Sequence, residues 1–266
     1  MTSDPSRARR PALPVRLAIL ALAVAAGFAR PAAAEEIPFG LRRVAPYVYD
    51  LPDGRPAGLE YDILAAALAV RGHTMRPLYY PFGRLGRSFV AGQVEAAAPI
   101  SPSFDVGGHL SEPYLTYHNV AVSLASRGLR IDSVADLARL RVVAFQNASV
   151  VLGPDFAKAV AAAPGYEERA DQLIQVRLLY AGRVDVIVGE RAILAALAAS
   201  PELIADGRQP VSLHAIFPPT PYRAVFREAR LRDDFDAGLK AIRADGTYDA
   251  LVARHLGGLW PGQGPP

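Results

Sequence analysis

Short runs of β-branched and aromatic residues alternate along the chain with stretches whose apolar positions recur at helical spacing, and glycines punctuate the junctions. The pattern predicts a strand over residues 41–44, then a hairpin over 47–59 turning at Asp53-Gly54. A helix over about 60–71 stops at Gly72, a second over 83–91 stops at Gly92, and 94–98 reads as a buried strand. Strand, helix and strand in that order imply a parallel sheet. Residues 120–124 read as a strand leading away, Ser133 caps a short helix with Asp136 three residues on, and 142–145 opens a second sheet. The alternation then repeats, with a helix over 171–181, a stop at Gly182, a strand over 184–188 and a helix over about 190–199. A strand near 222–226 precedes a long helix carrying Leu231, Phe235, Leu239 and Ile242 on one face, then a short one around 248–255. The fold class this predicts is α/β, in two lobes, with the last helices returning to the first.

The N-terminal pattern differs. Arg7, Arg9, Arg10 and Arg16 precede an apolar run over 17–28, and the small residues Ala32 and Ala34 precede Glu35. This reads as an export signal over 1–34, cleaved after Ala34, because a dozen apolar residues fall short of the ~20 that span a bilayer. Cleavage would leave 232 residues, enough for two lobes of about 100 each. It also changes the charge. Of 29 basic and 26 acidic residues the segment holds five and one, so 24 and 25 remain, and the precursor's +3 is no argument for nucleic acid or an acidic membrane as partner. The chain has no cysteine, which excludes disulfides, a thiol nucleophile, a zinc–thiolate site and a lipid-modified cysteine. His73, His109, His118, His214 and His255 show no metal-ligand spacing, so neither metal nor cofactor is expected. The Pro/Gly-rich stretch 261–266 reads as a disordered tail, and the lone Trp260 lies beside it.

Five segments in order carry a resemblance: Gly58-Leu59-Glu60-Tyr61-Asp62; an aromatic-led helix from Phe82 reaching Val94; Leu110-Ser111-Glu112-Pro113-Tyr114; Gly182-Arg183-Val184-Asp185; and Ala244-Asp245-Gly246-Thr247-Tyr248. Over most of residues 41–257 the chain resembles the bacterial extracellular solute-binding proteins of family 3, periplasmic receptors of polar amino-acid ABC transporters. It departs from them at Tyr61, Leu68 and Glu95. The resemblance implies the type II periplasmic binding fold. Lobe 1 would comprise 35–122 and 222–260 and lobe 2 123–221, joined by two hinge strands near 119–126 and 221–227 that close on a ligand.

It also implies where ligand would be met. Tyr47, Phe82 and Tyr49 stand where the family places aromatic walls, although core packing would use the same residues. Ser101 supplies a hydroxyl after the strand over 94–98, or serves only its turn. The family's carboxylate-gripping arginine is replaced by Phe104, no Lys or Arg occurs over 88–126, and Arg84 and Arg87, the cations that would substitute, read more simply as a solvated helix face. Gln146 and Ser149 resemble a turn that holds an anionic group, though Ser149 also suits an N-cap. Glu190 aligns with an acid that holds the ligand's ammonium, or favours a helix N-terminus electrostatically. Glu60 and Asp62 are explained by the helix dipole, and Asp185 reads as structural.

The expected function is that of a periplasmic receptor, a monomer, which captures a small polar, amine-bearing solute for an ABC permease. Two other readings stand beside it. One is a periplasmic adaptor or sensor, without a transporter or assisting a quinoprotein dehydrogenase. The other is a cyclohexadienyl dehydratase-like enzyme using Glu190 as acid or base.

Overall fold

The computed structural model describes residues 35–205 and 209–257. The export signal read over 1–34, its cleavage after Ala34, Trp260 and the tail over 261–266 lie outside the described residues. Thirteen strands are described: β1 (Glu36–Leu41), β2 (Tyr49–Asp50), β3 (Pro56–Ala57), β4 (Thr74–Tyr79), β5 (Ala96–Ile100), β6 (His109–Leu110), β7 (Leu115–Tyr117), β8 (Asn119–Leu124), β9 (Arg141–Phe145), β10 (Gly165–Arg169), β11 (Val186–Glu190), β12 (Val211–His214) and β13 (Thr220–Phe226). Between and after them run the helices α1 (Leu59–Ala69), α2 (Phe82–Val90), α3 (Ala148–Val151), α4 (Pro154–Ala161), α5 (Gln172–Tyr180), α6 (Arg191–Ala198), α7 (Pro201–Ala205), α8 (Ala229–Ala244) and α9 (Thr247–Leu256).

These build two sheets. One has the order β4-β1-β5-β13-β6, with β7 against β13, and the other β10-β9-β11-β8-β12. Each is mixed: β1 is parallel to β4 and β5, and β9 is parallel to β10 and β11, whereas β13 and β8 run antiparallel to their neighbours. The chain crosses from the first sheet to the second at His118, between β7 and β8, and returns over 215–219, between β12 and β13. Both crossings fall just ahead of the expected hinge strands, because β8 and β13 are already laddered into a sheet. Asn119 Nδ2 donates to Thr220 Oγ1 at 3.4 Å and ties the two crossings together.

The first lobe is closed by helices that the apolar pattern predicts. Leu231, Phe235, Leu239 and Ile242 of α8 are all buried, and the helix lies so close to α1 that a Cβ on Gly238 would stand 1.9 Å from the Ala67 carbonyl oxygen. The hairpin is present as β2 and β3, with Tyr49 opposite Ala57, and Gly54 takes φ 82° at its turn. Several elements differ from expectation. β1 ends at Leu41 instead of beginning there. The Ser133–Asp136 capping box opens a 3₁₀ segment, Val134–Arg139. Edge strands β4 and β10 occupy stretches where no strand was expected. Among the described residues no helix is long and apolar enough to cross a membrane, and no group of three or more His, Cys, Asp or Glu could hold a metal ion.

Candidate functional site

The carboxyl ends of parallel strands from both sheets face one another, which is where open α/β sheets receive ligands. β1 and β4 deliver Arg42, Arg43, Tyr79 and Tyr80. α2 opens with Phe82, and the end of β10 with the start of α5 delivers Asp171 and Gln172. Side chains from these ends enclose a pocket of about 580 Å³ whose floor is Arg42 and Phe82 and whose far wall is Gln172, Leu173 and Leu197. A second pocket of about 240 Å³ lies behind Phe82, against Phe104 and Asn147. Phe82 is buried and shared by both. Its ring meets Phe104 and Phe145 edge-on at 6.0 and 6.4 Å, and the Arg42 guanidinium lies 5.2 Å from its centroid.

The lobes touch through polar contacts as well. Arg42 donates to the Gln172 amide oxygen at 2.6 Å. The Gly83 N–H donates to Gln146 Oε1 at 3.0 Å, and the approach is so close that a Cβ on Gly83 would sit 2.8 Å from the Gln146 amide. The Tyr47 hydroxyl and the Glu190 carboxyl at the end of β11 are neighbours, and each acts on the other's proton affinity.

Of the six residues expected to meet ligand, Phe82 lines both pockets. Tyr47 and Glu190 are brought together, and both are buried. Tyr47 is 1% exposed and its ring leans on Tyr117 at 4.6 Å, which leans in turn on Tyr222 at 4.6 Å. Glu190 is buried and caps α6, accepting from Ile193 N at 2.9 Å. Burial lifts its carboxyl from the ordinary 4.5 to about 7, against the N–H groups of Ile193 and Ala192 and the Tyr47 hydroxyl, which pull it down. Gln146 is engaged with Gly83 across the lobes. Ser101 is buried and accepts from Ser103 N at 3.3 Å, the turn role.

Ser149 is filled from within the chain. Glu168 of β10 places its carboxylate in the turn, accepting from Asn147 N at 2.7 Å, Ser149 N at 2.9 Å, Ser149 Oγ at 2.7 Å and the Tyr166 hydroxyl at 2.7 Å. Burial pushes that carboxyl up, but the four donors outweigh it and hold it below the ordinary range.

Glu60 is more than a helix-dipole acid. It is wholly buried, accepting from the Tyr114 hydroxyl at 2.5 Å and the Tyr117 hydroxyl at 3.5 Å, and burial carries its carboxyl to about 7 in spite of Tyr114 and Arg42. Asp62 meets His255 at 2.7 Å, and Asp185 is structural, paired with Arg141 and Arg127 at 2.8 and 2.7 Å. Arg84 and Arg87 are exposed on α2. The buried cation is Arg42, which sequence reasoning missed together with Gln172 and Glu168. Its signal was its place directly after the carboxyl end of β1.

The family described as bacterial extracellular solute-binding proteins, family 3, matches residues 39–258. A comparison with curated proteins found no significant match. Among solved structures, the chain is similar to a histidine kinase sensor domain with similarity to periplasmic binding proteins, with TM-score 0.71 and 20% identity over 84% of this chain and 96% of that one. An amino acid ABC transporter substrate-binding protein from Streptococcus pneumoniae bound to L-arginine gives 0.68 and 16%, over 85% and 96%. An ancestral amino acid-binding protein described as a precursor of cyclohexadienyl dehydratase gives 0.67 and 17%, over 84% and 95%. At these identities the likeness is one of fold.

Proposed function

Because the chain belongs to the bacterial extracellular solute-binding proteins of family 3, we propose that it is a periplasmic receptor that captures a small polar, amino-acid-like solute between its lobes and delivers it, as a monomer, to an ABC uptake transporter. The observation that carries this reading is the interlobe pocket of about 580 Å³. It lies at the carboxyl ends of strands from both sheets and within the usual range of small-molecule sites, roughly 300–1,000 Å³. Arg42–Gln172 and Gly83–Gln146 act as latches of the closed form. Each is worth on the order of 1 kcal/mol, a scale that binding can tip in a hinge equilibrium.

In this reading Phe82 is the direct ligand wall. Gln146 serves closure, Tyr47 and Glu190 pack in the interior, and Ser101 and Ser149 serve the turns that hold the rim. Binding without turnover fits Glu190, which is occupied as the cap of α6 by the Ile193 N–H.

The test is thermal unfolding of the purified protein against amino acids, polyamines, opines, dicarboxylates and aromatic acids. A ligand at about 100 times its Kd adds about 2.7 kcal/mol, a clear upward shift in Tm. Absence of a shift across the whole panel would overturn the receptor reading, and turnover of prephenate or arogenate would replace it with the enzymatic one.

A further inference from the structure

Arg42 is the least expected group in the interlobe pocket. It is 9% exposed, yet among the described residues its polar partner is the neutral Gln172 amide and its other close neighbour the Phe82 ring. A guanidinium offers five N–H donors. Among the described residues the guanidinium makes only the one hydrogen bond to Gln172, and Arg42 itself lines the pocket. A buried cation without an anion is costly, and a carboxylate delivered in hydrogen-bonding geometry relieves that cost.

The other charges on the pocket are already matched. Arg43 pairs with Asp50 at 2.5 Å and stacks on Tyr79. Asp171 caps α5, accepting from Leu173 N at 2.9 Å. Glu60 acts on Arg42 electrostatically, but its hydrogen bonds go to Tyr114 and Tyr117. Among the described residues Arg42 is left without a hydrogen-bonded anion, and the walls beside it are the rings of Tyr79, Tyr80 and Phe82 with Leu173 and Leu197.

We infer that the solute is a monocarboxylate with a flat apolar body, its carboxylate held by Arg42 with Gln172 beside it and its body against Phe82 and Tyr80. This rests on the receptor reading and names its substrate class. An amine is not required for recognition, since Glu190 is buried and occupied by the N-terminus of α6.

The test compares matched probes on the purified protein by thermal shift and calorimetry: 3-phenylpropionate, 3-phenylpropanamide and phenethylamine. The carboxylate is expected to bind, and the amide and the amine to bind at least tenfold more weakly, as the loss of a charge-assisted pair implies (roughly 1.5–3 kcal/mol). Arg42→Gln is expected to weaken the carboxylate by about the same factor and to abolish its preference over the amide, and Arg42→Lys to fall between. Equal binding of amide or amine in the wild-type protein would overturn the inference, whether or not the glutamine variant folds. So would Arg42→Gln with wild-type affinity. If amines or polar amino acids from the wider panel bind while no monocarboxylate does, the inference falls and the receptor stands. If nothing binds, both fall.

Discussion

The buried carboxyl of Glu60 makes stability depend on pH in an unusual direction. Burial carries it from 4.5 to about 7, and Tyr114, Arg42 and Tyr117 only partly oppose this. In the unfolded chain the group titrates near its ordinary value. Between about pH 4.5 and 7 the folded state therefore binds the extra proton, and stability falls as pH rises through that window. Its contribution is complete below about pH 4.5 and lost above about 7. At about 1.36 kcal/mol per pH unit the gap corresponds to roughly 3 kcal/mol. Glu60→Gln keeps the shape and an oxygen for the Tyr114 hydroxyl, and removes the charge. Urea unfolding of both proteins at pH 5, 6, 7 and 8 should show the variant gaining on the wild type as pH rises, by up to about 3 kcal/mol, with any weakening of the Arg42 environment reducing the figure. Glu190 has the same sign and remains in both proteins, so the variant keeps part of the slope. His118 and His214, lowered by burial, push the opposite way in both and cancel in the difference. A difference between the two proteins that does not change from pH 5 to 8, or that favours the wild type more at pH 8, would refute the reasoning.

Gly238→Ala should cost at least about 1–3 kcal/mol, read as a lowered Tm, because its methyl would press on the Ala67 carbonyl and force α8 off α1; an unchanged Tm would count against that packing. Glu168→Ala should cost about 1–3 kcal/mol in chemical denaturation, since Asn147 N, Ser149 and Tyr166 lose their shared acceptor. Glu168→Gln should recover part of the loss, and equal effects of the two would argue against hydrogen bonding as the cause. The Arg141 guanidinium, with its N–H, holds the Asp185 carboxyl down at about 2, so its contribution is present above about pH 4 and lost as pH falls toward 2. Asp185→Asn should accordingly flatten the acid limb of the Tm profile and leave its slope above pH 5 unchanged.

The interior of each lobe was legible because central strands are buried on both faces. Val142-Val143-Ala144-Phe145 and Val186-Ile187-Val188 are continuous apolar runs, and all are buried. Edge strands lack that constraint: β4 carries Arg76 and Pro77, and β10 carries Glu167, Glu168 and Arg169, so neither reads as a strand. Missing β10 concealed Glu168, and with it the partner of Ser149. Pro38 and Gly40 hid β1 in the same way. Beginning that strand at Leu41 placed Arg42 inside an alternating run, when it stands at the strand's open end. The aromatic and acidic site residues were legible singly as core or cleft. That Tyr47 and Glu190 meet in the interior is a tertiary fact, which local spacing does not encode.

The two polar grips that the family resemblance implies, a turn for an anion and an acid for an ammonium, are both present in this chain and both occupied by its own side chains. Glu168 fills the turn with four hydrogen bonds, and Tyr47 covers the acid that caps α6. An incoming amino acid would have to displace these contacts, each of which costs about 1–3 kcal/mol when a buried partner is left unpaired. In the monocarboxylate reading, this internal occupancy would discriminate against the amino acids of the broader receptor reading, since specificity is a difference of affinities and grows as much from closing wrong sites as from opening right ones. What the chain leaves open is the Arg42 pocket, whose Phe82 wall is backed by Phe104 from the pocket behind it. In the monocarboxylate reading, the charge that reads the carboxylate therefore comes from the end of β1, and the position after β5 where the family resemblance implies an arginine carries an aromatic ring instead.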